Sequence, residues 1–209
     1  MCMDKNITKK MLRDSGIPTA DWTIARSIED IDYDKIEEMG YPVFIKPNSG
    51  GSSVATFKVE CREDVEDAVR AGLEVDDIVM IEAYLPGDEY TSFVLDGEVY
   101  PTIKISSPTG FFDFESKYST GANAAKEEVV YLEKDLQDQI NKASKAVWDT
   151  FYCRAYVRAD FILSNGTFYV LELNTLPGMT PTSLIPRSAN AKGLSYSELV
   201  DKIMETSLK

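Results

Sequence analysis

The chain contains no histidine among its 209 residues. Its three cysteines, Cys2, Cys61 and Cys153, are widely separated, odd in number and form no CxxC pair. With no histidine to join them, a zinc site is not expected, and they read as reduced cytosolic thiols. Basic residues are few: 22 Lys plus Arg stand against 35 Asp plus Glu, for a net charge of −13. A nucleic-acid partner would need a basic face and is excluded on that ground. A nucleotide is compatible only where lysines concentrate locally and a metal screens its phosphates. No apolar run reaches the ~18 residues of a membrane span, and Met1-Cys-Met-Asp-Lys5 is too polar for a secretion signal. The expectation is a cytoplasmic protein without membrane partners. What remains, 44% hydrophobic and 27% charged residues, is the composition of a soluble globular chain able to bury one or two cores.

The densest chemistry lies between Arg158 and Gly178. Asp160, Glu172 and Asn174 carry the oxygen ligands a hard cation such as Mg²⁺ takes. Arg158 adds a fixed positive charge two residues from the first of them. A hard cation beside an arginine points to phosphate chemistry. Residues 155–163 and 167–173 are rich in Val, Phe, Tyr, Ile and Leu, with Ser164-Asn165-Gly166 between them, which predicts a β-hairpin. Alternation puts Arg158 and Asp160 on one face, and likewise Glu172 with Asn174. Whether those faces coincide depends on the turn. A two-residue Asn-Gly turn pairs 164 with 167 and sends 160 and 172 to opposite faces. A three-residue loop with Gly166 left-handed, or a bulge, brings all four together. The plain alternative is two surface carboxylates on an ordinary hairpin.

The rest of the chain reads as alternating short elements. Asp4 caps a helix over 4–15 whose apolar stripe would be Ile7, Met11 and Leu12, ended by Gly16. A strand near 20–25 and a short helix bearing Tyr33, Ile36 and Met39 follow. Tyr41 to Lys46 reads as a strand buried on both faces, because Val43, Phe44 and Ile45 run continuously apolar. Further strands are expected at 54–59 and 78–82, with a helix over 62–74 between them. Asp96-Gly97 predicts a second hairpin. Residues 106–130 lack a period, and a loop of that length is usually functional. Leu136, Ile140, Ala143 and Val147 mark a helix of about four turns. Ser195 and Glu198 form a capping box for the last helix, with Leu194 stapling to Leu199.

Lys46 ends a strand just before Gly50-Gly51-Ser52-Ser53, where glycines would let backbone N–H groups close over phosphate. This is not the P-loop pattern, which needs Gly-Lys-Ser/Thr opening a helix. Lys117 is a second lysine within the long loop. Glu82 and Glu89 stand at a strand end and a strand start, a spacing that suits an adenosine edge; each could equally be a surface glutamate.

Together these segments resemble the ATP-grasp part of D-alanine–D-alanine ligases. The resemblance rests on Met3-Asp4-Lys5, Phe44-Ile-Lys-Pro47, Gly51-Ser-Ser-Val54, Ile81-Glu82, Gly87-Asp-Glu89, Phe112-Asp-Phe-Glu-Ser-Lys-Tyr118, Arg158-Ala-Asp160, Leu171-Glu-Leu-Asn-Thr-Leu-Pro-Gly-Met-Thr180 and Ser183-Leu184. It implies an α+β fold with two subdomains sandwiching a nucleotide between largely antiparallel sheets: a small lid subdomain over 1–84 and a C-terminal subdomain over 85–209 that holds the metal and substrate site. It implies ATP and Mg²⁺, with Mn²⁺ as a substitute. Lys5, Lys46 and Lys117 would contact the phosphates and the adenine pocket, Glu82 the adenine amine, and Glu89 the ribose. Asp160, Glu172 and Asn174 would hold the metal, and Arg158 with the Gly178 backbone would stabilise developing charge. Ser52 and Tyr118 would orient substrates, and Ser183 with Leu184 would hold the second amino acid's carboxylate. The reaction implied joins two D-alanines through an acyl phosphate, for peptidoglycan synthesis and so for the cell wall and cell shape.

The departures are specific. Such ligases carry about a hundred residues before the Met-Asp-Lys segment, and that N-terminal domain is missing here. Ala55 replaces a usual glycine, Thr182 a frequent histidine, and the Pro-Ala usual near Val130 is absent. Dipeptide synthesis by this chain in isolation is therefore not expected. Pairing into a homodimer is a family habit that usually involves the missing domain. The alternatives are an ATP-grasp ligase for other amino or hydroxy acids, and a nucleotide-binding module without catalysis. The loops at 48–53 and 106–130 are expected to order around phosphate.

Overall fold

The computed structural model describes residues 1–49, 55–106 and 125–208. Ser52, Lys117, Tyr118 and the expected ordering of their loops therefore lie outside the described residues. Two antiparallel sheets organise the chain. The first has four strands in the order β1-β4-β2-β3, formed by Trp22–Ala25, Val79–Ala83, Val43–Pro47 and Phe57–Val59. The second has six, running β10-β9-β5-β7-β8 with β6 also on β5. Its strands are β5 Asp88–Leu95, β6 Glu98–Val99, β7 Ile103–Ser106, β8 Lys126–Val129, β9 Tyr156–Ser164 and β10 Thr167–Asn174.

Six α-helices pack on these sheets among the described residues: α1 Lys5–Asp14, α2 Tyr33–Met39, α3 Val65–Leu73, α4 Lys134–Thr150, α5 Leu184–Ala191 and α6 Tyr196–Ser207. Asp4 caps α1 by accepting from the Ile7 N–H at 2.9 Å. The Ser195–Glu198 capping box opens α6. Asp96 and Gly97 both take positive φ, as the tight turn between β5 and β6 requires.

Each sheet has its own core. Ile36, Val43, Ile45, Val65, Val69, Val79 and Ile81 form the first, between the four-stranded sheet and helices α2 and α3. The larger core behind the six-stranded sheet gathers Val94, Ile140, Val147, Phe161, Phe168 and Val170. Burying side chains of this size stabilises by about 1.5–3 kcal/mol each. Leu12 and Ile17 join this larger core, so α1, which falls within the 1–84 stretch, packs on the second sheet.

Two expectations are corrected. The apolar stripe foreseen for α1 does not form: Ile7 is exposed, and the buried positions are Asn6, Thr8, Lys9 and Leu12. The helix turns a mostly polar face inward: Lys9 pairs with Glu82, Asn6 and Thr8 meet hydrogen-bond partners, and Leu12 alone of that face joins the larger core. Strand β2 is not fully buried on both faces but alternates, with Val43 and Ile45 inside and Phe44 and Lys46 partly buried on the other side.

Candidate nucleotide and metal site

The β9–β10 hairpin turns on Asn165 and Gly166, both with positive φ, and pairs Ser164 with Thr167. This is the two-residue turn whose register would separate Asp160 from Glu172. The register holds from Thr167 to Val170, which faces Phe161. There it shifts by one: Glu172 pairs with Asp160 and Asn174 with Arg158. Leu171 is the extra residue of a β-bulge. The bulge keeps Val170 and Leu173 in the core while turning Glu172 and Asn174 to the opposite face, beside Arg158 and Asp160. Backbone groups at the irregularity find partners outside the sheet. The Val170 N–H donates to the Pro18 carbonyl at 2.8 Å, and the Val170 carbonyl accepts from the Thr19 hydroxyl at 2.8 Å.

Asp160 is the hub of the cluster. Arg158 grips it in a fork, Nε donating to Oδ1 at 2.9 Å and Nη2 to Oδ2 at 2.7 Å. Asn174 Nδ2 donates to Oδ2 at 2.9 Å and lies 3.4 Å from Glu172 Oε1. The buried Thr91 hydroxyl donates to Oδ1 at 2.6 Å from the neighbouring strand β5. Burial works against the charge on Arg158, but Asp160 in contact and Glu172 and Glu89 nearby raise its pKa further. Glu89 lies on the same face of β5 as Thr91, two residues before it.

The donor set fits a hard cation in kind: carboxylate oxygens from Asp160 and Glu172, and an amide oxygen once Asn174 turns. Among the described residues no group of three or more His, Cys, Asp or Glu side chains gathers as a metal cage. Two carboxylates and an amide suit a Mg²⁺ that takes its remaining oxygens from phosphate and water.

The outer face of the four-stranded sheet carries the second group of candidate residues. Glu82, Phe44 and Trp22 pair across adjacent strands, as do Met80, Lys46 and Ile24, so Glu82 and Lys46 share that face. Glu82 is 3% exposed and its carboxylate is divided between two lysines. Lys46 Nζ donates to Oε2 at 2.6 Å, and Lys9 from α1 donates to Oε1. Burial opposes ionisation of Glu82, but the ammonium groups of Lys46 and Lys9 outweigh it and hold the pKa at about 2. Burial lowers the pKa of Lys5, while Glu172 and Glu82 oppose that and Lys46 adds to it. Lys5 thus senses both groups. Asn48 locks the base of α1 to the end of β2: its Oδ1 accepts from the Asn6 N–H at 2.8 Å and its carbonyl from the Lys5 N–H at 3.1 Å.

Gly178, Ser183 and Leu184 lie beyond β10. A Cβ on Gly178 would stand 3.4 Å from Ser183 Oγ. Ser183 precedes α5, accepts from the Thr180 N–H at 3.1 Å and shares a 2.8 Å hydrogen bond with the Thr180 hydroxyl. The Leu184 side chain packs with Ile103 and Ile105, leaving its backbone at the start of α5 as its polar face. Sequence reasoning missed Thr91, Lys9, Thr19 and Asn48. Lys9 carried a signal, one helical turn beyond Lys5, that the search for apolar residues passed over. Thr91 carried none before strand pairing was known.

The family model described as D-ala D-ala ligase C-terminus matches residues 11–205. The D-alanine--D-alanine ligase B of Clostridium perfringens (strain 13 / Type A) is 49% identical over 209 residues, which make up 100% of this chain and 68% of that protein. The crystal structure of the D-alanine--D-alanine ligase from Bacillus anthracis covers 99% of this chain and 67% of its own, with a TM-score of 0.88 and 43% identity. The same enzyme complexed with ATP gives a TM-score of 0.86 at 40% identity, over 99% of this chain and 66% of its own. The chain thus spans about two thirds of the length of the relatives it matches. The fold is that of the ATP-grasp ligases, and the chain belongs to the D-alanine–D-alanine ligase family.

Proposed function

We propose that this chain is the nucleotide-binding part of an ATP-dependent carboxylate–amine ligase that forms D-alanyl-D-alanine. The observation that carries this reading is the bulge at Leu171, which gathers Arg158, Asp160, Glu172 and Asn174 on one face. Lys46 and Lys5 contact the phosphates, Glu82 accepts from the adenine amine and Glu89 from the ribose. Asp160, Glu172 and Asn174 hold Mg²⁺, which when bound spreads the charge of the transferring phosphoryl group. Arg158 and the Gly178 N–H stabilise charge on the phosphoryl group and then on the tetrahedral centre. ATP transfers its terminal phosphoryl group to one D-alanine carboxylate, releasing ADP. The amine of a second D-alanine displaces phosphate from that acyl phosphate. Ser183 and the Leu184 N–H hold the second carboxylate. Ser52, Lys117 and Tyr118 keep the roles the family resemblance implies for them.

That β4 and β5 belong to different sheets supports a subdomain boundary near residue 84, with α1 packed on the second unit. No helix among the described residues is long and apolar enough to cross a membrane, which is compatible with cytoplasmic action on free amino acids and ATP.

Calorimetry of ATP with and without Mg²⁺ tests the nucleotide half of this reading, with Asp160→Asn/Glu172→Gln as the control. Magnesium-dependent uptake that the double substitution abolishes is expected. No uptake by the unaltered chain would overturn the reading. D-alanine-dependent ADP release, measured after adding the N-terminal third of a longer relative, tests the chemistry.

A further inference from the structure

Lys9 is the most deeply buried cation described in the chain, at 1% exposure. A buried ammonium persists only where paired and hydrogen-bonded. Lys9 meets that condition twice: it donates to Glu82 Oε1 and, at 2.6 Å, to the Thr19 hydroxyl. Its ammonium also lies 5.3 Å from the centre of the Trp22 ring. No ligand can reach it directly.

The neighbourhood explains why a second lysine belongs there. Glu82 alone with Lys46 would be a neutral pair, and Lys46 would face a phosphate with its charge already compensated. With Lys9 on the other carboxylate oxygen, the three side chains together carry a net +1. Lys46 is the exposed end of that triad, at 16% side-chain exposure against 1% for Lys9 and 4% for Glu82. An ammonium has three donors, and Lys46 commits one of them to Glu82. Thr19 passes the fixation on by donating to the Val170 carbonyl at the Leu171 bulge. Lys9 is thereby tied to Glu82 in the small sheet and to the base of the cation cluster in the large one.

We propose that Lys9 is a positioning residue that balances the charge of Glu82, leaving Lys46 a net positive charge to offer the phosphates of a bound nucleotide. This rests on the reading above, in which Glu82 meets the adenine and Lys46 the phosphates. Removing Lys9 therefore weakens phosphate binding more than adenosine binding. A residue serving only to fill space would weaken both alike.

The test is the ratio of ATP to adenosine affinity, measured by calorimetry at one Mg²⁺ and salt concentration. The net charge of the triad is +1 in the unaltered chain, 0 in Lys9→Met and +1 in the double substitution Lys9→Met/Glu82→Gln, which leaves no buried charge without its partner. The ratio is expected to fall on the order of tenfold in Lys9→Met and to return near its starting value in the double variant. If Lys9→Met does not fold, Lys9→Gln, which keeps a hydrogen-bond donor for Glu82 and Thr19, reads the same charge step. Equal ratios across the folded variants would overturn the inference while leaving the nucleotide reading intact. Failure of the unaltered chain to bind ATP would instead remove the nucleotide reading, and this inference with it.

Discussion

Glu172 lies directly across from Asp160, one step out of the register that the Asn165–Gly166 turn establishes. The offset comes from a single extra residue, Leu171, and it decides which face of the hairpin carries chemistry. An inserted alanine after Leu171 would move Glu172 and Asn174 one position along and reverse their faces. That insertion is expected to abolish magnesium-dependent ATP uptake and to destabilise the hairpin, read by calorimetry and thermal unfolding. Retained uptake at unaltered affinity would contradict the register argument.

Arg158 and Asp160 form a fork-shaped pair that is largely buried. Arg158→Met leaves Asp160 with Thr91 and Asn174 as its remaining named donors. Breaking a buried pair at one end costs roughly 3 kcal/mol, which denaturant unfolding will show. Adding Asp160→Asn removes the orphaned charge and should recover more than half of that loss.

Gly87 stands where the backbone of β9 passes closest. A Cβ there would lie 2.0 Å from the Leu163 carbonyl oxygen, which is backbone and cannot swing aside. Gly87→Ala should cost about 1–3 kcal/mol by overpacking and displace the start of β5, where Glu89 sits. Thermal unfolding and adenosine affinity are both expected to fall.

Acid stability follows from Glu82. Its folded pKa of about 2 lies below the ordinary 4.5, so the folded state releases this proton more readily than the unfolded chain. The stabilisation is complete above about pH 4.5 and is lost as pH drops from there through 2. Glu82→Gln should flatten the stability curve in that window, and an unchanged slope would contradict the assignment.

The α6 capping box offers a local control at residues with no proposed role in nucleotide binding. Ser195 accepts from the Glu198 N–H, and Glu198 accepts from the Ser195 N–H at 2.8 Å. Ser195→Ala should cost about 1 kcal/mol and leave ATP affinity unchanged.

Most of the fold was legible because its punctuation is local. Asp96-Gly97, Asn165-Gly166 and the Ser195 box each announce a turn or helix start through their own chemistry. Hairpin parity was legible too, including the need for an odd loop or a bulge. The place of the bulge was not, because Leu171 has no local feature that distinguishes it from Val170 or Leu173. Burial was misread where helix α1 and strand β2 face ion pairs. An apolar-periodicity argument assumes that inside means apolar, and Asn6, Thr8 and Lys9 are inside. The proposed ligands and substrates rest on the joint family motifs and not on any one residue's spacing.

Anchoring Leu12 and Ile17 in the larger core has a mechanical corollary. The polypeptide crosses to the smaller sheet just before Trp22 and returns just after Ala83, on β1 and β4, which are adjacent. Both tethers sit along one margin, and β3 occupies the far one. A swing of this sheet about that margin would have to break the Asn48 hydrogen bonds to α1, and would sweep Phe57 through the widest arc while Glu82, next to the axle, barely travels.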